Sequence, residues 1–118
     1  MAEEREVVQF LKHLKEVISI WDVYFLDSRS KNSLQELADL GITASGRKDI
    51  ILELETQDYS QGPLPETQYQ GKEMWIFGKT VREAELYIKL TIIERTNKAL
   101  CISFHKAAHP MTFPFKPK

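Results

Sequence analysis

Between Val7 and Ile18 the apolar side chains Val7, Phe10, Leu11, Leu14, Val17 and Ile18 recur at the spacing of one helix face. Gln9, Lys12, His13, Lys15 and Glu16 fill the opposite face. This pattern predicts an amphipathic helix over 7–18, with His13 facing solvent. Trp21-Asp22-Val23-Tyr24-Phe25-Leu26 is rich in aromatic and β-branched residues and predicts a short strand. Ser33-Leu34-Gln35-Glu36 has the form of a capping box, in which the Ser33 and Glu36 side chains satisfy each other's amides. Leu34, Leu37 and Ala38 then give a helix its apolar face, and Gly41 gives it a stop. A further short helix begins near Ser45 and buries Ile50, Ile51 and Leu54, followed by a turn over Thr56–Tyr59. Gly62, Pro63, Pro65 and Gly71 make the stretch from Gly62 to Lys72 the longest expected loop.

From there the period changes to two. Glu73–Val81, Glu85–Ile93 and Ala99–His105 read as strands separated by short turns, and so as a three-stranded antiparallel meander. In the middle strand Leu86, Ile88, Leu90 and Ile92 fall on one face, Tyr87, Lys89, Thr91 and Ile93 on the other. The first face is the one helices should cover. The expected fold class is α+β, with N-terminal helices packed on an antiparallel sheet that ends in the meander. Residues 1–118 are expected to form one domain, since the length suits a single core and no repeat is visible.

Composition narrows the class. With 42% hydrophobic and 28% charged residues the chain reads as globular, and no apolar run is long enough for a membrane span. The N-terminus is acidic and unlike a signal peptide. A lone Cys101, inside Leu100-Cys101-Ile102, precludes an internal disulfide and reads as a small buried hydrophobe. The cytoplasm is the default compartment. Net charge is −1, but residues 1–62 carry 12 acidic and 7 basic side chains, whereas 63–118 carry 5 and 9. Either two solvated faces differ by chance, or the strand-rich half presents an anion-binding surface.

Register decides which side chains meet there. A three-residue turn at Arg95-Thr96-Asn97, with Asn97 left-handed, pairs Glu94 with Lys98 and places Tyr87 opposite His105 and Lys89 opposite Ser103. A similar turn at Arg82-Glu83-Ala84 places Lys79 opposite Tyr87. Lys79, Tyr87, Lys89 and His105 would then cluster beside Ser103 on an open face. Such a set suits metal-free phosphodiester cleavage. A histidine can move protons near neutral pH, lysines can hold phosphate charge, and a tyrosine can stack on a base or donate a hydrogen bond. The same group on an exposed sheet is often idle. No cofactor is expected: there is no phosphate loop, nucleophile elbow or helical zinc pair. His105 and His109 stand four apart but beside Pro110, outside any helix, so no metal pair is expected from them either. The aromatic end, Pro110-Met111-Thr112-Phe113-Pro114-Phe115, packs back over the sheet or docks a partner.

Several strings resemble one family. Glu85-Leu86-Tyr87-Ile88-Lys89-Leu90-Thr91-Ile92-Ile93, Cys101-Ile102-Ser103-Phe104-His105, Trp75-Ile76-Phe77-Gly78-Lys79 and Asp58-Tyr59-Ser60-Gln61-Gly62-Pro63 together resemble MqsR-family toxins, RelE-like ribonucleases of type II toxin–antitoxin systems. Phe10-Leu11-Lys12, Asp39-Leu40-Gly41-Ile42 and Met74-Trp75 extend the likeness over most of the chain. The resemblance implies a RelE-like fold and an mRNA interferase that cleaves by 2′-hydroxyl attack without metal. It also implies silencing by a cognate antitoxin, a zinc- or DNA-binding, MqsA-like protein, and no membrane partner. It places the family's catalytic tyrosine on Tyr87 and its late catalytic lysine on His105. The earlier family lysine falls on Gln61, and the family glutamine on Ile76. Lys79 and His105 are left to take over proton and charge work, with Lys79, Lys89, Tyr87 and Ser103 as RNA contacts. A non-catalytic RNA- or ribosome-binding module, or a protein-interaction domain, remain as alternatives on the same fold.

Overall fold

The computed structural model describes residues 1–26 and 33–117. Along them run α1 (Glu4–Trp21), β1 (Val23–Phe25), α2 (Ser33–Asp39), α3 (Gly46–Leu52), β2 (Tyr59–Glu66), β3 (Lys72–Val81), β4 (Ala84–Ile93) and β5 (Lys98–Lys106). Short 3-10 turns lie at Thr56–Asp58 and Glu94–Thr96. The fold is α+β, and β3, β4 and β5 form the expected antiparallel meander.

The sheet as a whole is mixed rather than antiparallel. Its five strands stand in the order β1-β5-β4-β3-β2, and β1 pairs parallel to β5 through Val23↔Ala99 and Phe25↔Cys101. β1 is shorter than expected because Trp21 still belongs to α1, which ends only where Asp22 adopts a positive φ of 68°. The helix also starts early, at Glu4, where the Glu3 amide donates to the Glu6 carboxylate at 2.9 Å. The expected loop after Gly62 is largely strand. Pro63 and Pro65 sit in β2, an edge strand, where a missing N–H costs no ladder bond on the open side. Ser33 is the first residue of α2, and the residue before it lies outside the described residues. The far end of α2 closes as expected. Gly41 has φ +78°, its amide reaches the Ala38 carbonyl, and the Ile42 amide reaches that of Leu37, the Schellman pattern.

The helices cover one face of the sheet. Val7, Leu11, Leu14 and Ile18 of α1 pack against Phe77, Leu86, Ile88 and Leu90, all buried, and Phe10 stacks on Trp75 with ring centroids 4.8 Å apart. Each such side chain contributes about 1.5–3 kcal/mol by leaving water. The alternation in β4 therefore assigns the core face as expected. Among the described residues no helix is long and apolar enough to cross a membrane.

Candidate active site

The opposite face carries Tyr87 and Lys89 of β4, and its geometry depends on one irregularity in β5. Near the turn Ile93 pairs with Lys98 and Leu90 with Cys101; beyond it Lys89 pairs with Ser103 and Tyr87 with His105. The register shifts by one residue at Ile102, a β-bulge. The turn is also one residue longer than expected. Glu94–Thr96 form a 3-10 turn, and Asn97, left-handed as expected (φ 51°), completes a four-residue connection. The two differences cancel, so the expected pairs Tyr87/His105 and Lys89/Ser103 are present. The bulge has a consequence for facing. Ala99 and Cys101 belong to the core, and strict alternation would have sent Ser103 and His105 there too. Ile102 turns both to the open face and gives the core Phe104.

On that face the rings of Tyr87 and His105 stack, with centroids 5.1 Å apart and planes 14° from parallel. The Lys89 ammonium stands 5.7 Å from the centre of the tyrosine ring. His105 Nδ1 lies 2.7 Å from the Lys106 carbonyl oxygen. A carbonyl only accepts, so Nδ1 carries a proton and the neutral ring keeps its lone pair on Nε2. Burial pushes the Tyr87 phenol above its ordinary value of 10.0, and it stays a protonated donor at neutral pH.

Lys79 is not part of this cluster. Arg82 and Glu83 both have positive φ, 49° and 69°, so β3 and β4 are joined by a two-residue turn. The expected three-residue turn slips by one, and Gly78 rather than Lys79 stands opposite Tyr87. Lys79 pairs with Leu86 on the helix-covered side and forms an ion pair with Asp58 at 3.1 Å. The two positions at which the family's polar residues were expected diverge. Ile76 is buried directly opposite Lys89, whereas exposed Gln61 lines the site's rim.

The C-terminal tail completes the site, and packs back as the sequence suggests. After β5 the Met111 amide donates to the Glu85 carboxylate at 2.8 Å, and Phe113 and Met111 lie over the bare Cα of Gly78. Phe115 stacks on Tyr59 at 5.4 Å. Tail and sheet enclose a cleft of about 540 Å³ lined by Tyr87, Lys89, Ser103 and His105 from the floor, by Ser60 and Gln61, and by residues 108–112. Ser60 and His109 are thus site residues that sequence patterns did not single out for chemistry. The one available signal was Gly78, since a glycine inside a strand often marks a close approach by another segment. A second cleft of about 560 Å³ opens beside Phe10, His13 and Arg95. Its buried carboxylate, Glu66, is already engaged by the amides of Tyr69 and Gly71 at 2.7 and 2.6 Å, and so serves the local turn. Among the described residues no three His, Cys, Asp or Glu side chains converge as metal ligands.

Comparison with known proteins bears on this site. No individual curated protein matches the chain. The family model described as motility quorum-sensing regulator, toxin of MqsA, matches residues 6–106, from α1 to the last residue of β5. A match of that extent carries a class of activity, toxin of a toxin–antitoxin system, and with it an antitoxin partner of the MqsA kind. The chain belongs to the MqsR toxin family.

Proposed function

We propose that this toxin is a metal-independent endoribonuclease that cleaves mRNA by attack of a ribose 2′-hydroxyl on the adjacent phosphate. One observation carries the reading: Tyr87, His105 and Lys89 stand together at the floor of an open cleft, with His105 held by the Lys106 carbonyl. In this reading Nε2 of His105 removes the 2′-hydroxyl proton. The Lys89 ammonium and the Tyr87 hydroxyl stabilise the charge that builds on the phosphate oxygens. His105 occupies one face of the Tyr87 ring, which favours hydrogen bonding over base stacking for the phenol. Ser103, across from Lys89, is a further RNA contact. Lys79 has no part in this scheme. The MqsA-like antitoxin would supply the zinc- or DNA-binding function of the pair.

The test is cleavage of RNA by the purified chain in excess chelator. The expected products carry 2′,3′-cyclic phosphate ends, and His105→Ala should slow the reaction about 100-fold or more, the size of a general acid–base contribution, with little change in RNA affinity. His105→Lys should keep partial activity with its optimum moved to higher pH, because a lysine is deprotonated only at higher pH. Dependence on a divalent ion, or full activity in His105→Ala, would overturn the mechanism. RNA binding without any cleavage would leave a binding module.

A further inference from the structure

The tail lies outside the span that matches the family, which ends at residue 106. Yet it forms a wall of the cleft and brings a second imidazole, His109, to the same cavity as His105. In-line phosphoryl transfer sets attacking and leaving oxygens on opposite sides of phosphorus, so proton acceptor and proton donor must approach from different directions. The stacked Tyr87 and His105 rise together from the sheet. The tail lies against that same face, fixed there by Glu85 and Gly78, before Phe115 reaches Tyr59 in the core. We propose that His109 is a second catalytic residue, the acid that protonates the leaving 5′-oxygen; this rests on the ribonuclease reading above.

The proton balance is complete without a co-reactant. His105 Nε2 takes the 2′-hydroxyl proton, the 2′-oxygen bonds to phosphorus, and the bond from phosphorus to the 5′-oxygen breaks. The 5′-oxygen takes its proton from the His109 imidazolium. Products are a 2′,3′-cyclic phosphate and a 5′-hydroxyl, with His105 left protonated and His109 neutral. Exchange with water resets both rings. The other charged or titratable groups lining the cleft are Tyr87 and Lys89, and Glu85 anchors the tail through the Met111 amide.

The experiment compares two substrates of one sequence: ordinary RNA, and RNA whose scissile 5′-oxygen is replaced by sulfur. A thiolate leaves without a proton, so only the ordinary linkage needs an acid. His109→Gln should slow ordinary RNA about 100-fold and leave the sulfur-linked substrate near the wild-type rate, whereas His105→Ala should slow both. His109 is exposed, so the replacement leaves the fold in place. Gly78→Ala offers an independent arm. A methyl there would stand 2.7 Å from Phe113 Cζ, and displacing the tail should reproduce the His109→Gln selectivity. Equal slowing of both substrates by His109→Gln, or of neither, overturns this inference and leaves the ribonuclease reading intact. A wild-type chain that cleaves neither substrate overturns both.

Discussion

The two faces of the sheet are made from the same five strands and are held in different ways. On the helix side Phe77, Leu86, Ile88 and Leu90 are fully buried, and α1 covers them with Val7, Leu11, Leu14 and Ile18. On the other side one row across the sheet reads Gln61, Ile76, Lys89, Ser103, and the next reads Gly78, Tyr87, His105. Polar groups there stand beside buried Ile76, Leu100 and Thr91; Gly71 lies against Thr91, and the extended tail covers Gly78. The first face holds its shape by close packing. The second holds reactive side chains in place by cross-strand register, one ring stack and one carbonyl contact. A change in register therefore matters more on the open face than a change in volume.

Deleting Cys101 and Ile102 together breaks the distinction outright. One of the two losses only removes the bulge; the second shifts alternation along β5 by one residue, carries Ser103 and His105 to the side of Ala99, and turns Phe104 outward. Exposing a phenylalanine costs roughly 1.5–3 kcal/mol, and a buried polar group left without a partner costs roughly 1–3 kcal/mol. The deletion should lower stability by several kcal/mol on that reckoning and remove cleavage altogether. Urea titration and an RNA cleavage assay read the two effects. A double deletion that melts and cleaves like the wild type would show that alternation along β5 does not set the facing of His105.

Ile102 also shows what the sequence could and could not reveal. Helical periodicity in α1 and alternation in β4 were legible because each is a local pattern repeated over many residues. The pairing of Tyr87 with His105 was reached through a turn counted one residue short, and the bulge at Ile102 restored the count. Nothing in Leu100-Cys101-Ile102 announces a bulge, because apolar residues fill both faces there. Lys79 was misplaced because Arg82-Glu83 lacks the Asn-Gly or Asp-Gly signature of the tight turn it forms. The parallel pairing of β1 with β5 joins segments far apart in sequence and leaves no local mark. His109 comes to the cleft only through the path of the tail, which Gly78 hinted at and no periodicity encodes.

The lysines sharpen the same contrast, with one on each face. Lys79→Ala removes the partner of Asp58, whose side chain is only 13% exposed, and should cost about 1–2 kcal/mol of stability. RNA affinity and its salt dependence should be unchanged. Lys89→Ala should do the reverse: thermal stability stays within about 0.5 kcal/mol of the wild type. The slope of log affinity against log salt should fall by about 0.7, the share of one phosphate contact on a single strand. Binding titrations at several salt concentrations, set beside melting curves, decide it. If Lys79→Ala flattens the salt slope and Lys89→Ala does not, the nucleic acid lies on the other side of the sheet.

The smallest effect concerns pH at the open face. Burial raises the Tyr87 phenol above 10.0, since the site disfavours phenolate. The sign follows from linkage. Below the unfolded value both states hold the proton, and Tyr87 contributes its full share to stability. As pH rises past 10.0 the unfolded chain releases its proton first, and that share is lost on the way up to the folded value. Tyr87→Phe, which keeps the ring against His105, has no such proton to lose. Melting temperatures of wild type and variant should therefore run parallel from neutral pH to about 10, after which the wild type should fall slightly faster. The cleavage profile carries the companion expectation. A phenol that remains protonated throughout the neutral range cannot produce an alkaline limb between pH 7 and 9. Tyr87→Phe should lower the rate while leaving the shape of the profile there unchanged. A limb in that window that disappears in Tyr87→Phe would mean that the phenol ionises near neutral pH and serves as the base, with His105 in the donor's role.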